Sequence, residues 1–283
     1  MTTFLEILIR GVMLGSLYGL VGMGLTLVWG VVGIVNIAHG EFVMLGAYLA
    51  FWSFTLLRLN PLLSVVLAIV IFFFAGTVIH RRVTERLTRA PELSALILTF
   101  GMSIFLWNLA QFFWTNTYRS VPYLTGNFTL FGLVLAKSKA VSFLLSVALT
   151  AALFAFLKYS KTGKGIRATA QNPEVALVCG IDTVKMRAFT FGMGIALAGA
   201  AGSIVSLQWV IFPQMGTSYV SKAFAIVVLG GLGHIQGALA GGLILGILES
   251  LVTQYWSAKM AQIIPSVTIL LILLFRPTGL FRR

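Results

Sequence analysis

The sequence predicts an all-α protein, a polytopic transmembrane helical bundle of eight or nine spans. Three observations predict it. Of 283 residues, 59% are hydrophobic and 10% charged, against about 25% charged in a soluble domain, so too few polar side chains exist to coat a water-facing surface. The apolar residues fall into stretches of about 20, the length that crosses roughly 30 Å of hydrocarbon. Thirteen of the twenty Lys and Arg residues sit in three short segments, the pattern of loops on the cytoplasmic side of a membrane. Lipid offers backbone groups no partners, so a spanning chain of this kind must be helical.

In chain order the predicted spans are 6–29, 38–57, 61–80, 93–115, 138–157, 187–209, 219–233, 237–256 and 261–276. The first has no positively charged leader and no small-residue cleavage pattern, so it reads as a span and not a removable signal. Gly11, Gly15 and Gly19 recur every four residues along it. Gly194, Ala198 and Gly202 do the same in the sixth. Small residues at this spacing let helix backbones approach closely, which describes a compact bundle more readily than a dimer seam.

The second span is interrupted by Asn36-Ile37-Ala38-His39-Gly40-Glu41. A charge at the bilayer centre costs about 2.5–3.5 kcal/mol on insertion scales, so it faces protein or a water-filled cavity. Gly33 and Gly40 bracket the cluster and permit a helix break. The alternative is a plain inner loop that leaves His39 and Glu41 in water. The seventh span is short, and its exit resembles this cluster: His39-x-Glu41 precedes Gly46-Ala47, and His234-x-Gln236 precedes Gly241-Gly242. Segments near 30–40 and 227–237 therefore read as broken or re-entrant. Asn36, His39, Glu41, His234 and Gln236 are candidates for a central path, as in transporters built from two similar halves.

The basic segments are Arg81, Arg82, Arg86 and Arg89; Lys158, Lys161, Lys164, Arg167, Lys185 and Arg187; and Arg276, Arg282 and Arg283. All three are expected in the cytoplasm. With nine spans the N-terminus lies outside, the C-terminus inside, and the loop 116–137 outside. The other seven basic residues, Lys222 among them, are scattered. Glu249 in the eighth span lies near its outer end and reads as interfacial.

Several functions are excluded. No basic run interleaved with aromatics supports nucleic-acid binding. Lys161-Thr162-Gly163-Lys164-Gly165 lacks the upstream glycine and the hydroxyl residue of a phosphate-binding loop. Gly231-Leu232-Gly233-His234-Ile235-Gln236-Gly237 has glutamine where a dinucleotide fingerprint needs its third glycine. Three dispersed histidines and one cysteine form no metal-ligand cluster. No catalytic pair stands at useful spacing, and no cofactor is expected. The chain reads as one transmembrane domain, 1–283, without catalytic chemistry. Any uphill transport draws on an ion gradient or a separate subunit.

The cytoplasmic loop 158–187 carries a short oily stretch. Asn172 is a good N-cap, Pro173 suits the first helical position, Glu174 complements the positive helix end, and Gly180 terminates. These signals predict a helix over 173–179, apolar all round, a pattern that marks a covered element. Either the protein's own bundle or a partner's groove covers it.

Glu174-Val175-Ala176-Leu177-Val178-Cys179-Gly180 resembles the EAA-type loop of ABC importer permeases, with Val175 in place of the first alanine. Residues 24–50, 163–181 and 225–244 are similar to the LivH-type permeases of branched-chain amino acid ABC importers, and the resemblance runs along nearly the whole chain. It implies a permease subunit in a bacterial inner membrane that moves branched-chain or other small amino acids into the cytoplasm. Urea and amides are alternative solutes in related systems. It also implies a cytoplasmic ATPase gripping Asn172, Pro173, Glu174, Ala176, Leu177, Gly180 and Ile181, a second homologous permease, and an external solute-binding protein. The rival reading is a stand-alone channel or gradient-driven carrier.

Overall fold

The structure, a computed structural model, describes residues 2–89, 91–130, 133–276 and 278–281. Arg282 and Arg283, used above for orientation, lie outside the described residues. Twelve α-helices and one β-hairpin make up the described chain. Among the described residues, seven helices are long and apolar enough to cross a membrane. They are α1 (Thr2–Val32), α2 (His39–Leu57), α3 (Pro61–Ile79, continued by tighter and wider turns to Arg89), α4 (Glu92–Trp114), α5 (Lys137–Tyr159), α8 (Thr183–Val205) and α10 (Ile235–Tyr255). Two shorter apolar helices, α9 (Met215–Gly230) and α12 (Ile264–Phe275), match the remaining predicted spans. The other helices are α6 (Lys161–Gln171), α7 (Pro173–Val178) and α11 (Ala258–Ala261). Strands β1 (Asn127–Leu130) and β2 (Leu133–Ala136) pair antiparallel with Asn127 opposite Ala136, in the segment between α4 and α5.

α1 and α8 form the centre, and their contacts are made by glycine. A Cβ at Gly11 or Gly15 would come within 2.7 Å of the α10 backbone at Ile247 or Leu243, and one at Gly19 within 3.1 Å of Leu239. Gly242 and Gly246 of α10 return the contact against Gly19 and Gly15. Lipid supplies no hydrophobic drive, so this close backbone packing holds the two helices together. On α8, Gly194 meets Gly24 and Val28 of α1, whereas Gly202 meets Val43 and Ala47 of α2. Ala198 between them is fully buried. The four-residue row on α8 thus serves two partners.

Glycines at Gly231 (φ 88°) and Gly233 (φ 78°) close α9 and α10 into a tight hairpin, and Gly230 abuts Gly237 across it. α1 and α10 run antiparallel, so Trp29 and Gly30 lie beside Gly233 and His234. Lys158, Arg167 and Gln171 of the basic loop line the same cavity. The Leu280 N–H donates to the Leu229 carbonyl (3.0 Å), which brings residues 278–281 to this end. His80 stacks on Phe191 of α8 at 5.3 Å, one turn from Arg187, so the 81–89 segment lies here too. The described parts of all three basic segments share one end of the bundle, called here the loop end.

Candidate functional site

The helix break near residue 33 is a real change of path. α1 ends at Val32, Gly33 takes φ 75°, and the chain turns back into the bundle before α2 starts at His39. The fully buried His39 ring donates from Nε2 to the Val21 carbonyl (3.0 Å) and lies beside Gly24. Val21 and Gly24 precede the end of α1 by roughly 12–16 Å along the helix axis. Buried Glu41 accepts from Ser103 of α4 (3.2 Å), and its carboxylate covers Gly216 at the start of α9. Asn36 is fully buried, and its side-chain amide has no hydrogen-bond partner among the described residues. Gly40 lies so close to the Gly216 carbonyl that a Cβ would overlap it. Asn36, His39 and Glu41 are thus all buried at or just before the start of α2, with His39 against α1 and Glu41 against α4 and α9.

His234 and Gln236 lie elsewhere. Both are exposed on the wall of a loop-end cavity of about 1080 Å³ that also includes Trp29, Lys158 and Arg167. The two histidines that look alike in sequence therefore have unlike surroundings. The tight Gly231–Gly233 turn leaves its histidine at the surface, whereas the longer 33–38 connection carries its histidine inward.

At the opposite end lies an arrangement that sequence reasoning missed. Glu249 of α10 is buried, and its Oε2 accepts from Tyr18 Oη of α1 (2.7 Å) and from Lys222 Nζ of α9 (3.0 Å). Lys222 also contacts the Tyr18 hydroxyl and lies 4.2 Å from the centre of its ring. Each charge alone is costly in a membrane, and together they meet. The signal was available: Lys222 and Glu249 are opposite charges on consecutive spans joined by a four-residue turn. The triad lines a cavity of about 350 Å³ with Arg10, Lys139 and Gln208.

The loop-end surface holds α7. Asn172 Oδ1 accepts from the N–H groups of Glu174 (2.9 Å) and Val175 (3.0 Å), Pro173 opens the helix, and Gly180 takes φ 80° just after it. Ser160 caps α6 in the same way through Gly163 N–H (2.8 Å), and α6 buries Gly163, Gly165, Ile166 and Thr169. α6 is thus an amphipathic support for α7 where sequence suggested only a basic loop. Of the two covers that the sequence leaves open for α7, the protein's own bundle supplies one only at Ala176. Ala176 is buried, while Val175, Leu177 and Val178 are 57%, 62% and 89% exposed. Six residues cannot present enough surface to the protein's own bundle to hide all of them. Glu174, Gly180 and free Cys179 are exposed beside them, and Ile181 is half-buried.

Comparison with known proteins gives a consistent relationship. Residues 7–273 match the family described as branched-chain amino acid transport system, permease component. The high-affinity branched-chain amino acid transport system permease protein LivH of Escherichia coli is 35% identical, covering 99% of this chain and 96% of its own. The corresponding permease protein BraD of Pseudomonas aeruginosa is 34% identical over the same shares. The probable branched-chain amino acid transport permease protein LivM of Methanocaldococcus jannaschii is 29% identical over 42% of this chain and 39% of its own. No solved structure matches the chain.

Proposed function

This chain belongs to the branched-chain amino acid transport system permease family, and on that premise we propose that it is the membrane-spanning half of an ABC importer for branched-chain amino acids. It sits in a bacterial inner membrane with its loop end and C-terminus in the cytoplasm, a reading supported by the basic residues gathered at that end. The chain supplies the path, and a separate subunit supplies ATP hydrolysis. The partial likeness to LivM supports a second, homologous permease beside it. An external solute-binding protein delivers the amino acid.

The observation that carries this reading is the uncovered row on α7. Val175, Leu177 and Val178 are exposed at the loop end on a capped two-turn helix. A helix so short is not stable alone in water, and burying each such side chain is worth about 1.5–3 kcal/mol. A groove on an ATPase subunit fits this row. ATP-driven closure of the ATPase pair then pulls α7, α6 passes the motion to α8 and α5, and access to the path alternates. Asn36, His39 and Glu41 stand where α2 and α9 start inside the bundle, the position of a hinge or gate, and His234 and Gln236 line the exit.

Val178→Arg tests the coupling. The side chain is exposed, so the substitution leaves folding intact and places a charge in the partner's groove. With ATPase and binding protein present, we expect leucine uptake in vesicles to fall at least tenfold with no loss of folded permease, the equivalent of about 1.4 kcal/mol or more in coupling. Undiminished uptake in both Val178→Arg and Leu177→Arg would remove the coupling role. The rival carrier reading predicts leucine flux through this chain alone, in ATP-free vesicles under an ion gradient.

A further inference from the structure

We infer that the C-terminal segment 278–281 is a strap that clamps the turn between α9 and α10 against the end of α1, and so holds the wall of the loop-end cavity in place. Its consequence for uptake rests on the importer reading; the clamp itself does not.

The strap begins where α12 stops. The Arg276 N–H closes α12 on the Ile272 carbonyl (2.7 Å), and the Gly279 N–H returns to the Arg276 carbonyl (2.9 Å). This tight turn directs the chain to the end of α9, against which α12 packs. The Leu280 N–H then donates to the Leu229 carbonyl (3.0 Å). That carbonyl is one of the last four of α9, which have no donor within their own helix. Leu229 is buried, and a buried acceptor without a donor is costly. The last described residues therefore cap a helix from an earlier part of the chain.

Four glycines make the clamp. Gly279 takes φ 85°, a conformation that costs glycine nothing and other residues much. A Cβ on it would lie 2.5 Å from the Gly231 backbone and 2.9 Å from the Val228 carbonyl oxygen. A Cβ on Gly30, near the end of α1, would lie 3.0 Å from Gly233. Gly231 and Gly233 are the two positive-φ residues of the turn. The turn is gripped at one glycine by the C-terminal segment and at the other by the first helix.

The grip matters because of what the turn carries. Residues 232–236 line the cavity of about 1080 Å³. α9 is 16 residues long, about 24 Å, and its first turn packs against Gly40 and Glu41 at the start of α2. α9 therefore reaches from the buried start of α2 to the cavity wall, and the strap fixes its far end. With the strap engaged, motion of the bundle reaches α9 and the wall together. With it free, the turn moves on its own.

The test separates the backbone bond from the side chain. Leu280→Pro removes the N–H that the bond needs, Leu280→Ala keeps it, and Gly279→Val drives a side chain into the contact with Gly231. Amide hydrogen exchange is measured on the full chain in lipid nanodiscs, without ATP or partner subunits. Exchange over 229–238 is expected to quicken about tenfold in Leu280→Pro and Gly279→Val and to stay near wild type in Leu280→Ala, with α8 unchanged in all three. With ATPase and solute-binding subunits added, leucine imported per ATP hydrolysed is expected to fall about threefold or more in the two loosened variants. Wild-type exchange in both Leu280→Pro and Gly279→Val overturns the clamp, as does equal loosening by Leu280→Ala. Unchanged leucine per ATP alongside quickened exchange overturns its part in uptake. Should Gly279→Val not fold, Leu280→Pro decides alone. If the wild-type chain with its partners imports no leucine, the importer reading fails, and the exchange result still decides the clamp.

Discussion

α8 and α4 are both 23 residues long and both apolar enough to cross a membrane, yet 89% of the apolar stretch of α8 is buried and only 17% of that of α4. Hydrophobicity does not separate them; side-chain size does. From Gly192 to Gly202, α8 reads GMGIALAGAAG, and its glycines admit α1, α2 and α3 at backbone distance. α4 carries Phe100, Phe105, Phe112 and Phe113 outward, all more than half exposed, and its single glycine, Gly101, has nothing within 4 Å of a built Cβ. In lipid, large apolar side chains gain little by meeting one another, whereas small ones let helices touch. The centre of this bundle is therefore its least bulky part.

The largest effect that could break this contrast comes from one added methyl group. In Gly202→Ala the new carbon would meet the Val43 carbonyl group and the Ala47 nitrogen, 2.9 Å away. Backbone cannot yield as a side-chain tip can, so the yield of folded, monodisperse protein is expected to collapse, with a cost at or above the roughly 1–3 kcal/mol of ordinary overpacking. Gly101→Ala meets nothing. Its thermal midpoint in detergent is expected to hold or rise slightly, since glycine in a helix costs about 0.5–1 kcal/mol relative to alanine. Equal behaviour of the two variants would undo the account.

A second test sharpens the contrast by adding charge. α8 and α4 keep their charged residues at the ends, while α9 and α10 carry the half-buried Lys222 and the buried Glu249 within the helices, paired with each other. Removing one partner of a buried pair leaves a lone charge, which costs about 3–5 kcal/mol. Glu249→Gln is expected to lower the thermal midpoint sharply, and Lys222→Met added to it is expected to restore most of the loss. Full additivity of the two changes would show that they do not act as a pair.

The smallest effect concerns the helix starts. α8 begins under Asp182, whose carboxylate accepts from Lys185 N–H (3.0 Å) and pairs with Lys185 Nζ (2.8 Å). α4 begins after Pro91 with no side-chain cap. The hydrogen bonds from Lys185 hold the Asp182 carboxyl below its ordinary range. A depressed carboxylate contributes stability above its unfolded value of about 3.9 and loses it as pH falls through the folded value. Amide protection at residues 183–186, corrected for intrinsic exchange, is expected to fall below about pH 4, and Asp182→Asn is expected to remove that dependence.

Much of the fold was legible because lipid imposes a single length rule. All nine apolar stretches became helices, and the α7 boundaries followed from Asn172, Pro173 and Gly180, since capping is local chemistry. What escaped needed either finer or longer-range information. α6 was hidden by its charges, although Gly163, Ile166 and Thr169 share its buried face. The β1–β2 hairpin has strands too short to carry a pattern. The meeting of Lys222 with Glu249 required treating two costly charges as each other's solution, whereas each read singly suggested an isolated residue. Spacing likened His234 to His39, but the turn that precedes each histidine decides its depth. Ala176 is the one buried residue of α7. An arginine there would strain the permease itself, while one at Val178 addresses only what docks on it.

The seam between α1 and α10 has a consequence for how the protein is made. Gly15 waits for Leu243, and at 5–20 residues per second the ribosome takes roughly 10–45 s to deliver it. During that interval the earliest helix stands in the bilayer with a glycine-lined groove facing lipid and its true mate unborn. Membrane insertion machinery that shelters early helices is expected to aid this protein's assembly, and truncated chains ending before residue 235 should be prime targets for quality-control proteases.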